Sequence, residues 1–128
     1  MKIRHLDARG KGEHTYDYNN DILLFKVKNR NYLKSIDFDN IIIDLDEEGY
    51  ITGMRIMDAS KILKLSKFDL KNIKNFTFEG TIEDKTVAVQ LRFDYERRNK
   101  ILAHHGQDFI REALDSKIRD SQVICTVA

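Results

Sequence analysis

Two apolar alternations separated by a two-residue turn dominate the second half of the chain. Phe76, Phe78, Gly80 and Ile82 alternate with Thr77, Glu79, Thr81 and Glu83. Val87, Val89, Leu91, Phe93 and Tyr95 then alternate with Ala88, Gln90, Arg92, Asp94 and Glu96. A period of two marks a half-buried strand. With Asp84-Lys85 as the turn, Glu83 faces Thr86, Ile82 faces Val87, Phe78 faces Leu91 and Phe76 faces Phe93. Thr77 meets Arg92 and Glu79 meets Gln90 on the other face. A slip of one residue would set core side chains against polar ones, so the pattern selects this register. The polar face predicts an antiparallel sheet covered on one side only.

Asn40–Ser60 carries the second pattern. Ile41, Ile43 and Leu45 alternate with Ile42, Asp44 and Asp46. Asp46-Glu47-Glu48-Gly49 breaks the strand, with glycine where a type I turn closed by a bulge needs a positive φ. Tyr50–Met57 returns as a strand whose Gly53 hints at a bulge or a close backbone approach. Asp58 is placed to cap a helix through its carboxylate. Ala59, Ile62 and Leu63 fall on one helical face. The expectation is a ββα unit with its helix lying on the sheet.

Tyr16-Asp17-Tyr18-x-x-Asp21-x-Leu23, followed by Ile42-Ile43-Asp44-Leu45-Asp46-Glu47-x-Gly49-x-Ile51-x-Gly53-Met54-x-Ile56-Met57-x-Ala59-Ser60, resembles domain of unknown function 2283. These are small prokaryotic proteins. The resemblance covers Thr15–Leu65, and the chain departs from the pattern at Arg55, where the family has an acidic residue. It implies a small β-rich fold and no known activity. Some members are encoded beside small toxin-like proteins, which implies a partner-binding role.

Composition bounds the rest. The 128 residues fit one domain with a single modest core. Charged residues make up 34% of the chain yet balance to +1, which argues against a protein built to neutralise many phosphates. Cys125 is the single cysteine, so no internal disulfide forms and a reducing cytoplasm is the expected compartment. The N-terminal stretch has no apolar core of signal-peptide length, and the longest apolar run, Ile22–Phe25, is far short of a membrane span.

Elsewhere the reading is coarser. Lys2–Leu6 suggests a short strand, and Asp7–Glu13 a flexible lead-in. Thr15–Tyr18 and Asp21–Lys28 read as strands joined at Asn19-Asn20, with Leu23, Phe25 and Val27 on one face. Asn29–Asn31 is a turn. Tyr32–Asp39 reads as a strand that runs on toward Ile41 with a bulge near Asn40. Ser66–Asn75 reads as a polar connection, Arg97–Lys100 as a charged bend and Ile101–Ala103 as a short strand. Phe109, Ile110, Ala113 and Leu114 predict a helix over Gly106–Leu114, followed by a polar stretch over 115–120 and a last strand over Gln122–Val127. The expected fold class is therefore α+β: a mostly antiparallel sheet of about six to eight strands with one or two helices packed on one face. It is expected as one domain over 1–128: lead-in to 14, a family-like core over 15–65, and over 66–128 the long hairpin with a C-terminal helix and strand.

Candidate sites are few. Asp44, Asp46, Glu47 and Glu48 could hold a divalent cation through oxygen ligands, or simply form a solvated hairpin tip. His104-His105 with Asp108 and Glu112 invites a zinc or acid–base reading, but neighbours on a strand point to opposite faces. His5 and His14 lie in the lead-in. Cys125 alternates with Val123 and Val127, as a core cysteine does. Lys26, Lys28 and Arg30 near Tyr32, and Arg97, Arg98 and Lys100 near Tyr95, could form cationic patches with stacking rings. No nucleophile elbow and no glycine-rich phosphate loop is present in the sequence. The first functional reading is a non-enzymatic cytoplasmic module with no cofactor and no metal. It would bind a protein partner, or itself as a homodimer, through a sheet edge. An antitoxin-like role is its sharpest form. A metal- or carboxylate-dependent enzyme using Asp44, Asp46 and Glu48 is the second reading. Nucleic-acid binding through the basic bends is the third.

Overall fold

The computed structural model describes residues 4–113 and 118–127, with 105–107 as backbone alone. Its strands are β1 (Arg4–Asp17), β2 (Ile22–Val27), β3 (Tyr32–Phe38), β4 (Ile41–Asp46), β5 (Ile51–Ile56), β6 (Ile73–Glu83), β7 (Thr86–Arg97), β8 (Lys100–Glu112) and β9 (Ser121–Val127). Two five-residue helices, α1 (Ala59–Leu63) and α2 (Lys67–Lys71), join β5 to β6. The strands form one nine-stranded sheet in the order β3-β4-β5-β2-β1-β9-β6-β7-β8. Every pairing is antiparallel except β1 with β9, which is parallel.

The sheet folds over on itself. The Phe25 ring of β2 lies 4.7 Å from Phe76 of β6 and 6.2 Å from Phe93 of β7, although β1 and β9 separate these strands along the sheet. Alternate residues of both halves therefore meet in one core, including Leu23, Ile43, Ile51, Met54, Phe78, Val89, Leu91 and Cys125. Each half covers the apolar face of the other, as in a sandwich. This overturns the α+β expectation. The fold is mostly β, and the cover expected from helices comes from strands. The helices contribute Ala59, Leu63 and Leu70 to the core.

The β6–β7 hairpin has the register read from the sequence, with Ile82 opposite Val87, Phe78 opposite Leu91 and Phe76 opposite Phe93. Asp84 and Lys85 both take positive φ, the geometry of a type I′ turn. The acidic hairpin also forms as expected. Gly49 has φ 84°, its amide donates to the Asp46 carbonyl at 3.0 Å, and the bulge in β5 falls at Thr52, beside Gly53.

Several expectations fail for identifiable reasons. The stretch expected as a helix over Gly106–Leu114 is strand β8 as far as Glu112, with Leu114 outside the described residues. Phe109 is buried while Ile110 is 60% exposed, an alternation that pairing with β7 imposes on a short apolar run. Arg98 and Asn99, part of the expected bend, form the two-residue turn between β7 and β8. The expected lead-in is most of β1, which lies at the centre of the sheet between β2 and β9. Residues 2 and 3 of the suggested first strand and residues 115–117 of the polar stretch lie outside the described residues. β3 and β4 do not run together. They form a hairpin at Asp39-Asn40, where Phe38 pairs with Ile41 and Asp39 has φ 65°. The polar connection after α1 contains α2, capped by the Ser66 hydroxyl accepting from the Asp69 amide at 3.1 Å.

Candidate functional site

The acidic turn is a folding device. Asp46 is 2% exposed, and its Oδ1 accepts the amides of Glu48 at 2.9 Å and Tyr50 at 3.0 Å. Its Oδ2 accepts Arg30 Nε at 2.7 Å, which fixes the Asn29–Asn31 turn beside the hairpin. Glu48 lies 3.3 Å from the same guanidinium, and the Glu47 amide donates to the Asn31 carbonyl. Asp44 accepts the Ser35 hydroxyl at 2.6 Å and Arg55 Nη2 at 2.8 Å. Arg55, where the chain departs from the family pattern, thus neutralises one of its carboxylates. Two carboxylates already filled by guanidinium donors are poor cation ligands. Among the described residues, no group of three or more His, Cys, Asp or Glu side chains could hold a metal ion.

Three of the six cations at the two bends are held by carboxylates. Lys26, Lys28, Arg30 and Tyr32 surround an open cavity of about 410 Å³ floored by Asp44, Thr52 and Gly53. Lys26 is bound to Glu13 at 2.9 Å and Arg30 to Asp46. At the other bend, Arg97 Nε donates to Asp69 at 2.9 Å. The guanidinium lies 5.6 Å from the Tyr95 ring centroid, and Tyr95 is buried, so that ring offers no free stacking face.

Among the described side chains, the histidines do not form a site. His104 stacks on Phe93 with centroids 4.8 Å apart, and the His105 side chain lies outside the described residues. Asp108 pairs in register with Gln90 and Glu112 with Thr86, on β8 against β7. His14 meets Phe76 edge-on at 5.9 Å, and burial lowers its pKa. His5 is exposed on β1. Cys125 is fully buried, and burial pushes its thiol up to about 11. It is a core cysteine.

Two features escape sequence reasoning. The first is a polar network of Asp21, Tyr16 and Ser60. The Tyr16 hydroxyl donates to Asp21 Oδ1 at 2.6 Å, and Ser60 donates its hydroxyl to Oδ2 at 2.6 Å and its amide to Oδ1 at 3.0 Å. Asp58, the expected cap of α1, has φ 50° and makes no side-chain cap bond. Asp21 caps the helix from the β1–β2 turn instead. All three network residues stand in the family pattern, and that shared membership was the available signal. The second is which strands form the two open sheet edges, since the edges themselves were expected. β3 and β8 each pair with one described strand, β4 and β7 respectively. Both edges carry exposed apolar residues: Tyr32 and Leu33 on β3, Ile101 and Ile110 on β8. No helix of the described residues is long and apolar enough to cross a membrane.

Comparison with known proteins follows the network. A family model described as Protein of unknown function (DUF2283) matches residues 14–60, a span that begins before Tyr16 and ends on Ser60. A Methanosarcina mazei protein named "Putative hypoxanthine phosphoribosyltransferase" is 34% identical over 90 residues, 70% of this chain and 73% of that protein. An uncharacterised protein of Methanocaldococcus jannaschii is 37% identical over 86 residues, 66% of this chain and 74% of that protein. No solved structure matches the chain. The shared pattern and the extent of these relatives show that the chain belongs to the DUF2283 family.

Proposed function

We propose that this protein is a non-enzymatic binding module that acts by strand addition along its β8 edge, with a second copy of the chain as the strand it takes. The observation that carries the reading is the edge itself. β8 runs from Lys100 to Glu112 and pairs on one side with β7, leaving the backbone groups of its other side as a template. Ile101 and Ile110 lie opposite Glu96 and Ala88, on the outer face of the sheet, and are 59% and 60% exposed. An antiparallel two-fold that sets Ile101 against the partner's Ile110 also sets Ile110 against the partner's Ile101, as an isologous interface requires. The same register brings Leu102 opposite Phe109 on the inner face. It also sets Lys100 near Arg111, a like-charge pair at the solvated strand ends, where screening is strongest.

The printed name of the Methanosarcina mazei relative concerns phosphoribosyl transfer. Such chemistry needs backbone amides gathered around a pyrophosphate, usually at a glycine-rich turn leading into a helix. Nothing of that kind among the described residues supports bringing the activity to this chain. The paired Asp44 and Asp46 likewise give no support to a carboxylate- or metal-dependent reaction.

Native mass spectrometry at low micromolar concentration tests the reading. The wild-type chain is expected as a dimer, and an Ile101→Lys/Ile110→Lys variant as a folded monomer. A wild-type monomer with no bound strand would refute self-pairing. A stoichiometric foreign polypeptide lost in the same variant would keep strand addition and replace the occupant, as an antitoxin-like role would require.

A further inference from the structure

We infer that the face formed by α2 and the β1–β2 turn binds single-stranded nucleic acid. Charge in this near-neutral chain is unevenly placed. From Ala59 to Lys71 the sequence carries Lys61, Lys64, Lys67 and Lys71 against a single acid, Asp69. That acid is 0% exposed and tied to Arg97, so it presents no negative charge to solvent.

The α2 part of this segment gathers two lysines on one ring. Lys67 and Lys71 are one helical turn apart and share a face. Their ammonium groups lie 5.4 Å and 5.6 Å from the centroid of the Tyr18 ring, which is itself 50% exposed. Phe68, 58% exposed, lies three residues before Lys71 and so borders the same face. A lone exposed phenylalanine is ordinary. Phe68 is not alone: it lies between Lys67 and Lys71 in the helix, and both lysines reach the exposed Tyr18 ring. Lysines for the phosphates and open aromatic faces for unpaired bases are the two requirements of sequence-tolerant strand binding.

The exposed neighbouring acids, Asp17 and Asp58, offset only part of the charge of the four lysines. Asp17 holds the Asn20 amide and side chain. Asp21 is buried, and Lys67 adds to the forces holding its carboxyl below the usual range. Asp58 is exposed at the start of α1. The site is distinct from the bends at Arg30 and Arg97, whose guanidinium groups are held by Asp46 and Asp69. A lipid surface would call on the same lysines, but it favours a helix with a broad apolar face turned outward. Leu70 of α2 is 1% exposed and belongs to the core, leaving Phe68 as the outward apolar residue of that helix.

The test is fluorescence anisotropy with a labelled oligothymidylate of roughly twenty nucleotides, an abasic strand of the same length, and phosphatidylserine vesicles, all at about 20 mM salt. The wild-type chain is expected to bind the oligothymidylate, with affinity falling steeply as salt rises. Lys67→Ala/Lys71→Ala is expected to weaken it about tenfold or more, and Lys67→Arg/Lys71→Arg to retain it. Phe68→Ala is expected to weaken oligothymidylate binding about fivefold while leaving the abasic strand unaffected. Circular dichroism of each variant establishes that it is folded. Absence of binding, equal binding by the double alanine variant, or binding to vesicles but not to the oligonucleotide would each overturn the inference.

Discussion

Asp21 and Ser60 stand 39 residues apart in the chain, and both the amide and the hydroxyl of Ser60 donate to the Asp21 carboxylate. With the Tyr16 hydroxyl on the same carboxylate, this junction ties the β1–β2 turn to the start of α1. The group is buried, so each donor left without its acceptor loses a hydrogen bond and keeps its desolvation cost. Asp21→Ala is expected to cost about 3 kcal/mol, because it strands three donors. Tyr16→Phe removes one donor and leaves none unsatisfied, so about 1 kcal/mol is expected. Urea denaturation of the two variants checks the ratio. Equal costs would mean that the phenol, rather than helix capping, dominates the junction.

The same junction shows where sequence reading stops. Asp58 stands in the usual capping position, yet its φ of 50° leaves it without a cap bond, and the substitute comes from the β1–β2 turn, which no local rule connects to α1. The β6–β7 hairpin was legible to the residue because its alternation and its two-residue turn agree. The ends of β1 read as strand, but its middle, Asp7–Glu13, did not, because its fully buried inward positions are Ala8 and Gly12, which read as loop. Gly12 has room for no side chain because Phe76 and Cys125 crowd the parallel β1–β9 seam. The β8 segment failed for the opposite reason. Its apolar residues suit a helix as well as a strand, and only the unpaired edge of β7 decides between them. In the acidic turn, Gly49 and the turn geometry were readable, but the Arg30 partner of Asp46 arrives from 16 residues away.

The crowding at Gly12 predicts a severe response to a single methyl group. A Cβ there would lie 2.6 Å from Phe76 Cζ, 2.7 Å from the Thr126 carbonyl oxygen and 2.9 Å from Cys125 Sγ. The phenyl ring can swing, but the carbonyl belongs to the parallel strand and cannot move without breaking the pairing. Gly12→Ala is therefore expected to cost about 3 kcal/mol. Thermal denaturation measures it, and an unchanged Tm would show that the β1–β9 seam is looser than its geometry indicates.

Arg30 supports the acidic hairpin by holding Asp46, whose side chain is 2% exposed against 24% for the arginine. Removing the arginine leaves a buried carboxylate with its two amide donors but no counter-charge. Arg30→Ala is expected to cost about 3 kcal/mol. The double variant Arg30→Ala/Asp46→Asn should recover part of that loss, because the amide carries no charge to bury. A double-mutant cycle in urea reads the coupling, and strict additivity would mean that the ion pair contributes nothing to the turn.

Acid stability follows from Asp69. Hydrogen bonding from Arg97 holds its carboxyl below the usual carboxylate range in the folded chain. A folded pKa below the unfolded value means that the unfolded state takes up the proton more readily. The resulting stability is fully present above the unfolded pKa of about 4 and is lost as pH falls through the folded value. Arg97→Met should lower stability at neutral pH, by less than breaking a fully buried pair would because the arginine is half exposed. It should also flatten the acid limb of the stability–pH curve, since a carboxylate without its guanidinium has less to lose on protonation. Unfolding midpoints from pH 7 down to about pH 3 test this. Parallel curves for variant and wild type would assign acid unfolding to other groups, His14 first among them: its pKa is lowered by burial and it must charge to unfold in acid.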